Sequence, residues 1–268
     1  MFNILNRYVG IEDVGKMQNG LLEFGLLYGL LVANFGYQSG GFVKFYDDRY
    51  CLWKLMKISP IVALALFTYF HGAGLNERAR KIQTLGIVLG GVGDWLIGST
   101  KEGIVTGAIA FGLGHLCYMA LFVPGNVKVV PAFLAGTLAW GLVANQLCLV
   151  PMIKDHPYAV GIMMVYSLLL TACLVFSYSH YQLGTARHKA GSDALFYRLL
   201  GFALFYASDN MLIFDHCGYP IPYSEILILG TYYSSQYFIL KGLVHCESGD
   251  YIDDAQNRGN AKKGVKSN

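Results

Sequence analysis

Charge is what this sequence has least of. Only 14% of its 268 residues are Asp, Glu, Lys or Arg, too few to wet the surface of a soluble domain of this length. Reactive-site patterns are scarce as well. The six cysteines include no CxxC, and three of them (Cys117, Cys148 and Cys173) fall within apolar runs, which argues against a disulfide framework or a zinc site. The histidines other than His115 (His71, His156, His180, His188, His216 and His245) lie in loops or at the ends of apolar runs and never form HxxxH or HExxH. No GxGxxG follows a strand and no phosphate-binding loop is present, so ATP-driven chemistry has no support and no nucleic-acid partner is indicated. There is no GxSxG elbow and no Ser-His-Asp arrangement for ester cleavage.

What is present is apolar sequence. Hydrophobic residues make up 54% of the chain and the mean hydropathy is +0.43, as in a polytopic membrane protein. The expected fold is an all-α transmembrane bundle of eight spans, near 20–38, 55–71, 82–99, 103–123, 129–150, 158–179, 197–214 and 224–244, each long enough to cross the hydrocarbon. Glu23, Asn34 and glycines dilute the first. Residues 1–19 carry Arg7, Glu12, Asp13 and Lys16 without an apolar core. They read as a polar N-terminal segment rather than a cleavable signal, so the first span also serves for insertion. Most of the lysines and arginines, including Arg78, Arg80, Lys81, Arg187, Lys189 and Arg198, fall on the side of the even loops and both termini; that side is expected to be cytosolic. The tail from Glu247 to Asn268 is polar, without apolar period, and is expected to be disordered. The domain reading is thus 1–19, a catalytic bundle over 20–246, and 247–268.

Within the spans, ionisable residues are rare enough to take singly, because an intramembrane acid costs about 2.5 to 3.5 kcal/mol and needs a partner, a wet cavity or a neutral form. Asp94, in GVGDWLIG, and Asp209 are the two clear cases. Both spans run outward, and each aspartate stands roughly 7 to 8 Å from the outer end at helical rise. On helices running the other way, Lys57, Tyr232, Tyr233 and Gln236 fall in the same outer half. Polar groups from four helices at one level imply a shared cavity. The plainer readings are a structural ion pair of an aspartate with Lys57, a lysine snorkelling to the headgroups, and tyrosines of an interfacial belt. His115, alone in the fourth span, reads first as a helix-to-helix hydrogen bonder and second as a ligand.

Taken in order, these residues resemble the lysoplasmalogenase family, also called YhhN-like: GGVGDWLIG, then GLGHLCYMALF with His115, Tyr118 and Phe122, then LFYASDN with Ser208 and Asp209, then PIPYSEILILGTYYSSQYFIL with Tyr232, Tyr233 and Gln236, with Lys57 ahead of Pro60. The likeness runs over roughly 55–245. The first 50 residues fall outside it, and Asn210 departs from the pattern. The resemblance implies an eight-span membrane hydrolase that cleaves the vinyl ether of lysoplasmalogens, releasing a fatty aldehyde and a glycerophospho-base. For a eukaryotic chain it also implies the endoplasmic reticulum membrane.

That chemistry suits the residues. A vinyl ether is hydrolysed by protonating its β-carbon, which makes an oxocarbenium ion that water captures, as in glycosidases. Two carboxyls in a poorly hydrated cavity supply the acid and the base, since repulsion and desolvation leave one protonated and the other ionised. Asp94 and Asp209 are the expected catalytic pair. Lys57, His115, Tyr118, Ser208, Tyr232, Tyr233 and Gln236 are expected around a lysophospholipid, with no metal and no cofactor. The alternative is a small proton- or cation-coupled transporter using the same aspartates.

Overall fold

The computed structural model describes the backbone of residues 2–44, 50–71, 75–99, 103–122, 128–185 and 188–264, and the side chains of those between 20 and 247. Arg187 and the charged side chains of both ends, Arg7 to Lys16 and Asp250 to Lys266, lie outside the described residues. The described residues form eight α-helices: α1 (Phe2–Gln38), α2 (Tyr50–His71), α3 (Glu77–Ile97), α4 (Gly103–Ala120), α5 (Pro131–Cys148), α6 (Pro157–Leu183), α7 (Asp193–His216) and α8 (Ser224–Gly264). A single 3-10 turn, Val150–Met152, links α5 to α6. Each expected span falls in one helix. The first, though diluted, is among four segments long and apolar enough to cross a membrane: Gly20–Gln38, α2, α4 and α6. The remaining helices include α3 and α8, which carry the buried Asp94 and Gln236, and α7, which carries Asp209.

The helical backbone of α1 and α8 runs past the apolar segments into both polar ends. Extending an existing helix fixes one residue per bond gained, whereas starting one is costly.

Packing follows a ring. α1 meets α2, α2 meets α3, α3 meets α4, α4 meets α6, α6 meets α7, α7 meets α8, and α8 returns to α1, with α2 also touching α8. α5 stays outside this ring, against α6 and α7, and Cys148 is its one buried residue. Inside, Tyr118, Tyr233, Phe202 and Phe205 are almost wholly buried. Outside, Leu22, Leu26 and Leu30 of α1 stand exposed at helical spacing, an apolar face of the kind lipid covers.

Small residues bring α7 and α8 together. A Cβ on Gly201 would stand 2.6 Å from the Ile239 main-chain nitrogen, and one on Gly242 2.6 Å from that of Arg198. Neither neighbour can swing away, because each is backbone. Gly201→Ala is therefore expected to cost about 1 to 3 kcal/mol by overpacking, read as a lowered unfolding midpoint of the detergent-solubilised protein. Gly184 ends α6 for a different reason: its φ of +71° is a left-handed conformation that disfavours a side chain.

Candidate active site

Pro60 prepares the first half of the site. Lacking an N–H, it cannot bond the Met56 carbonyl one turn back, and the Ser59 hydroxyl donates to that carbonyl instead at 2.9 Å. The neighbouring Lys57 carbonyl accepts from the Tyr233 hydroxyl of α8 at 2.7 Å, and the Tyr233 carbonyl accepts from the Tyr28 hydroxyl of α1 at 2.9 Å. So held, Lys57 sends its ammonium to α3. It pairs with Asp94 Oδ1 at 3.2 Å, both side chains at most 7% exposed, and donates to the Asp94 main-chain carbonyl at 3.4 Å.

Glycines open the space beside Asp94. Gly90 and Gly93 leave room for Tyr232 and Phe111: a Cβ on Gly90 would reach 3.4 Å from the Tyr232 hydroxyl, and one on Gly93 2.6 Å from the Phe111 ring. Tyr232 faces the Asp94 carboxylate. Neither Asp94 Oδ2 nor the Tyr232 hydroxyl closes a hydrogen bond of good geometry among the described residues, although both are buried.

Asp209 stands apart from this cluster. It lines a partly open pocket between α5, α6 and α7, with Asn145, Tyr166, Ser167, Tyr206 and Asn210. The Tyr166 hydroxyl donates to its Oδ2. No cation makes an ion pair with it among the described residues. Aromatic rings pack at right angles beside this site: Phe111 and Phe205 at 6.0 Å, with Tyr232 5.8 and 5.6 Å from them. His115 continues the wall, 4.8 Å from the Phe205 ring and 5.5 Å from Tyr166. The aspartates are still close enough to interact electrostatically.

Of the residues expected at the site, Lys57, Asp94, Tyr232 and Tyr233 converge. Gln236 is one turn further along α8, its Oε1 accepting from the Tyr118 hydroxyl at 2.9 Å. His115 is buried in the aromatic wall with Nε2 unpartnered, so it makes no helix-to-helix hydrogen bond through that atom. Ser208 turns the other way, donating to the Ile228 carbonyl at 2.8 Å, where it ties α7 to α8. Asp209 thus opens toward a pocket shared with α5, while Asp94 faces Lys57 of α2 and Tyr232 of α8. The residue that sequence reasoning missed is Tyr166. Its only signal was a phenol in the middle of the most apolar span, VGIMMVYSLLLTACL. Asn210, the departure from the family pattern, accepts from Trp140 Nε1 at 2.8 Å and so pins the peripheral α5 to α7.

Fold and site together define a membrane-embedded helical bundle with one cation-paired and one phenol-bonded carboxyl in its interior. The chain belongs to the YhhN family, whose pattern matches residues 53–243. It is 29% identical over 213 residues to "Lysoplasmalogenase TMEM86A" of Bos taurus, covering 75% of this chain and 80% of that one. To "Lysoplasmalogenase TMEM86A" of Homo sapiens it is 27% identical over 197 residues, covering 69% and 75%. No solved structure matches it. It is a membrane protein.

Proposed function

We propose that this chain hydrolyses the vinyl ether bond of lysoplasmalogens, with residues 20–246 as the catalytic bundle, both termini cytosolic and the endoplasmic reticulum as its membrane. The family and the names of its relatives support the substrate class. The observation that carries the mechanism is the unequal setting of the two carboxyls. Asp94 has a buried ammonium at 3.2 Å, which favours its ionised form; Asp209 makes no ion pair with a cation among the described residues, and a carboxyl buried without a counter-charge holds its proton.

The steps follow from that inequality. The Asp209 carboxyl delivers its proton to the β-carbon of the vinyl ether, and the π electrons leave an oxocarbenium ion at the carbon bearing oxygen. Water adds to that carbon while the Asp94 carboxylate takes its proton, giving a hemiacetal. The hemiacetal collapses to aldehyde and a free glycerol hydroxyl, and the proton returns to Asp209 through solvent. The Tyr232 hydroxyl, facing Asp94, orients the water. Lys57 keeps the base charged. In the transporter alternative a cation would have to displace the Lys57 ammonium, which already occupies Asp94.

A matched panel of lysoplasmalogen, two-chain plasmalogen, alkyl-ether lysolipid and acyl lysolipid in one detergent tests the reading. Aldehyde is expected from the first, little from the second, and neither aldehyde nor fatty acid from the others. A saturated ether has no π bond to protonate, and an ester needs a nucleophile and oxyanion hole. Fatty acid from the acyl lysolipid at a comparable rate would overturn the acid-base mechanism.

A further inference from the structure

A second group of buried polar side chains lies at the opposite end of the bundle. Arg198, on α7, is 7% exposed, and its guanidinium stacks 3.7 Å over the Phe122 ring. His180, at the end of α6, packs on the same ring at 5.4 Å. Gln83, on α3, is 0% exposed. Gly86 packs on Tyr118, so Gln83 and Phe122, each about one turn beyond that contact on antiparallel helices, share a level. Arg80 belongs to the same end of α3.

Several of their polar atoms lack partners. Arg198 Nε, Arg80 Nε, His180 Nδ1 and both amide atoms of Gln83 are buried without a hydrogen-bond partner among the described residues. Glu247 acts on Arg198 electrostatically but accepts from Asn76 Nδ2 at 2.7 Å and makes no ion pair with it among the described residues. Burying a guanidinium without an ion-pair partner is unfavourable, and unpaired buried donors are rare. The donors are of the kind that bind phosphate: a planar guanidinium, an imidazole and an amide, with the amide oxygen able to take a P–OH or a neighbouring hydroxyl.

We infer that Arg198, His180 and Gln83 form a phosphate-binding site distinct from the two carboxyls. Arg198 and Asp209 share α7 and stand about 16 Å apart along it. In one lysolipid only the glycerol carbons separate the vinyl ether from the phosphate, so a lipid being cleaved at Asp209 cannot reach Arg198 with its own headgroup. The phosphate comes from a second molecule, a phospholipid of the other leaflet or the free anion.

The test is thermal unfolding of the full chain in detergent buffer free of phosphate and sulfate, titrated with inorganic phosphate, dioleoylphosphatidylglycerol, or dioleoylglycerol as the phosphate-free lipid. A phosphate source near a hundredfold above its Kd is expected to raise the midpoint by about 5 °C or more, and dioleoylglycerol to leave it unchanged. Inorganic phosphate alone sufficing identifies the free anion; a response confined to the phospholipid identifies a headgroup. Arg198→Met should abolish the shift and Gln83→Leu weaken the affinity about tenfold, the latter serving if the former does not fold. Asp94→Asn should keep it in full. The inference is overturned if neither source shifts the midpoint, if both site variants respond as wild type, or if Asp94→Asn removes the response.

Discussion

Asp94→Asn and Asp209→Asn are each expected to lose at least roughly 10²-fold to 10⁴-fold of aldehyde release, the range of general acid-base catalysis. An amide keeps the volume of the acid but holds no transferable proton at this acidity. The two variants should differ in everything else. At Asp209 the amide oxygen still accepts from the Tyr166 hydroxyl, so the pocket keeps its shape and the unfolding midpoint stays near wild type. At Asp94 the substitution removes the counter-charge of Lys57 and leaves a buried ammonium beside a neutral amide. Stability should fall together with activity. Single-turnover aldehyde release, normalised to monodisperse protein, with unfolding followed in parallel, checks both. Near wild-type turnover in either variant would remove the paired carboxyls from the mechanism.

How far the sequence led is clearest from depth and direction. Depth along a helix is linear in residue number, so Lys57, Asp94, Tyr232 and Tyr233 could be put at one level from counting alone, and the Lys57–Asp94 pair lies there. Direction around the helix axis depends on which helices are neighbours. Counting gave no sign that α4 packs on α6 with α5 left outside, and that arrangement puts Asp209 at a pocket lined by α5. The aromatic wall of Phe111, Phe205 and Tyr232 was invisible for a related reason: an aromatic residue in an apolar span has the same signature whether it fills a core or divides a cavity. Tyr166 was lost in that background. Asn210 looked out of place because its partner, Trp140, is 70 residues away.

Lys57→Met should be the most destabilising change in the upper half of the bundle. Breaking one side of a buried ion pair costs about 3 to 5 kcal/mol, because the remaining charge has neither water nor partner. Here Asp94 Oδ2 already lacks a hydrogen bond among the described residues, so loss of Lys57 strips Oδ1 as well. Methionine has nearly the length of the lysine stem and keeps the packing against Trp53, whose ring lies 5.7 Å from the ammonium. The loss is therefore electrostatic rather than a cavity. Adding Asp94→Asn to Lys57→Met removes the stranded charge and should recover most of the stability while leaving turnover abolished. The coupling energy from the double-mutant cycle is read by denaturant unfolding in mixed micelles, with the four proteins at matched detergent. If Lys57→Met alone unfolds at the wild-type midpoint, or if the second substitution recovers nothing, the pair does not stabilise Asp94 as a buried carboxylate, and the assignment of Asp94 as the base falls with it.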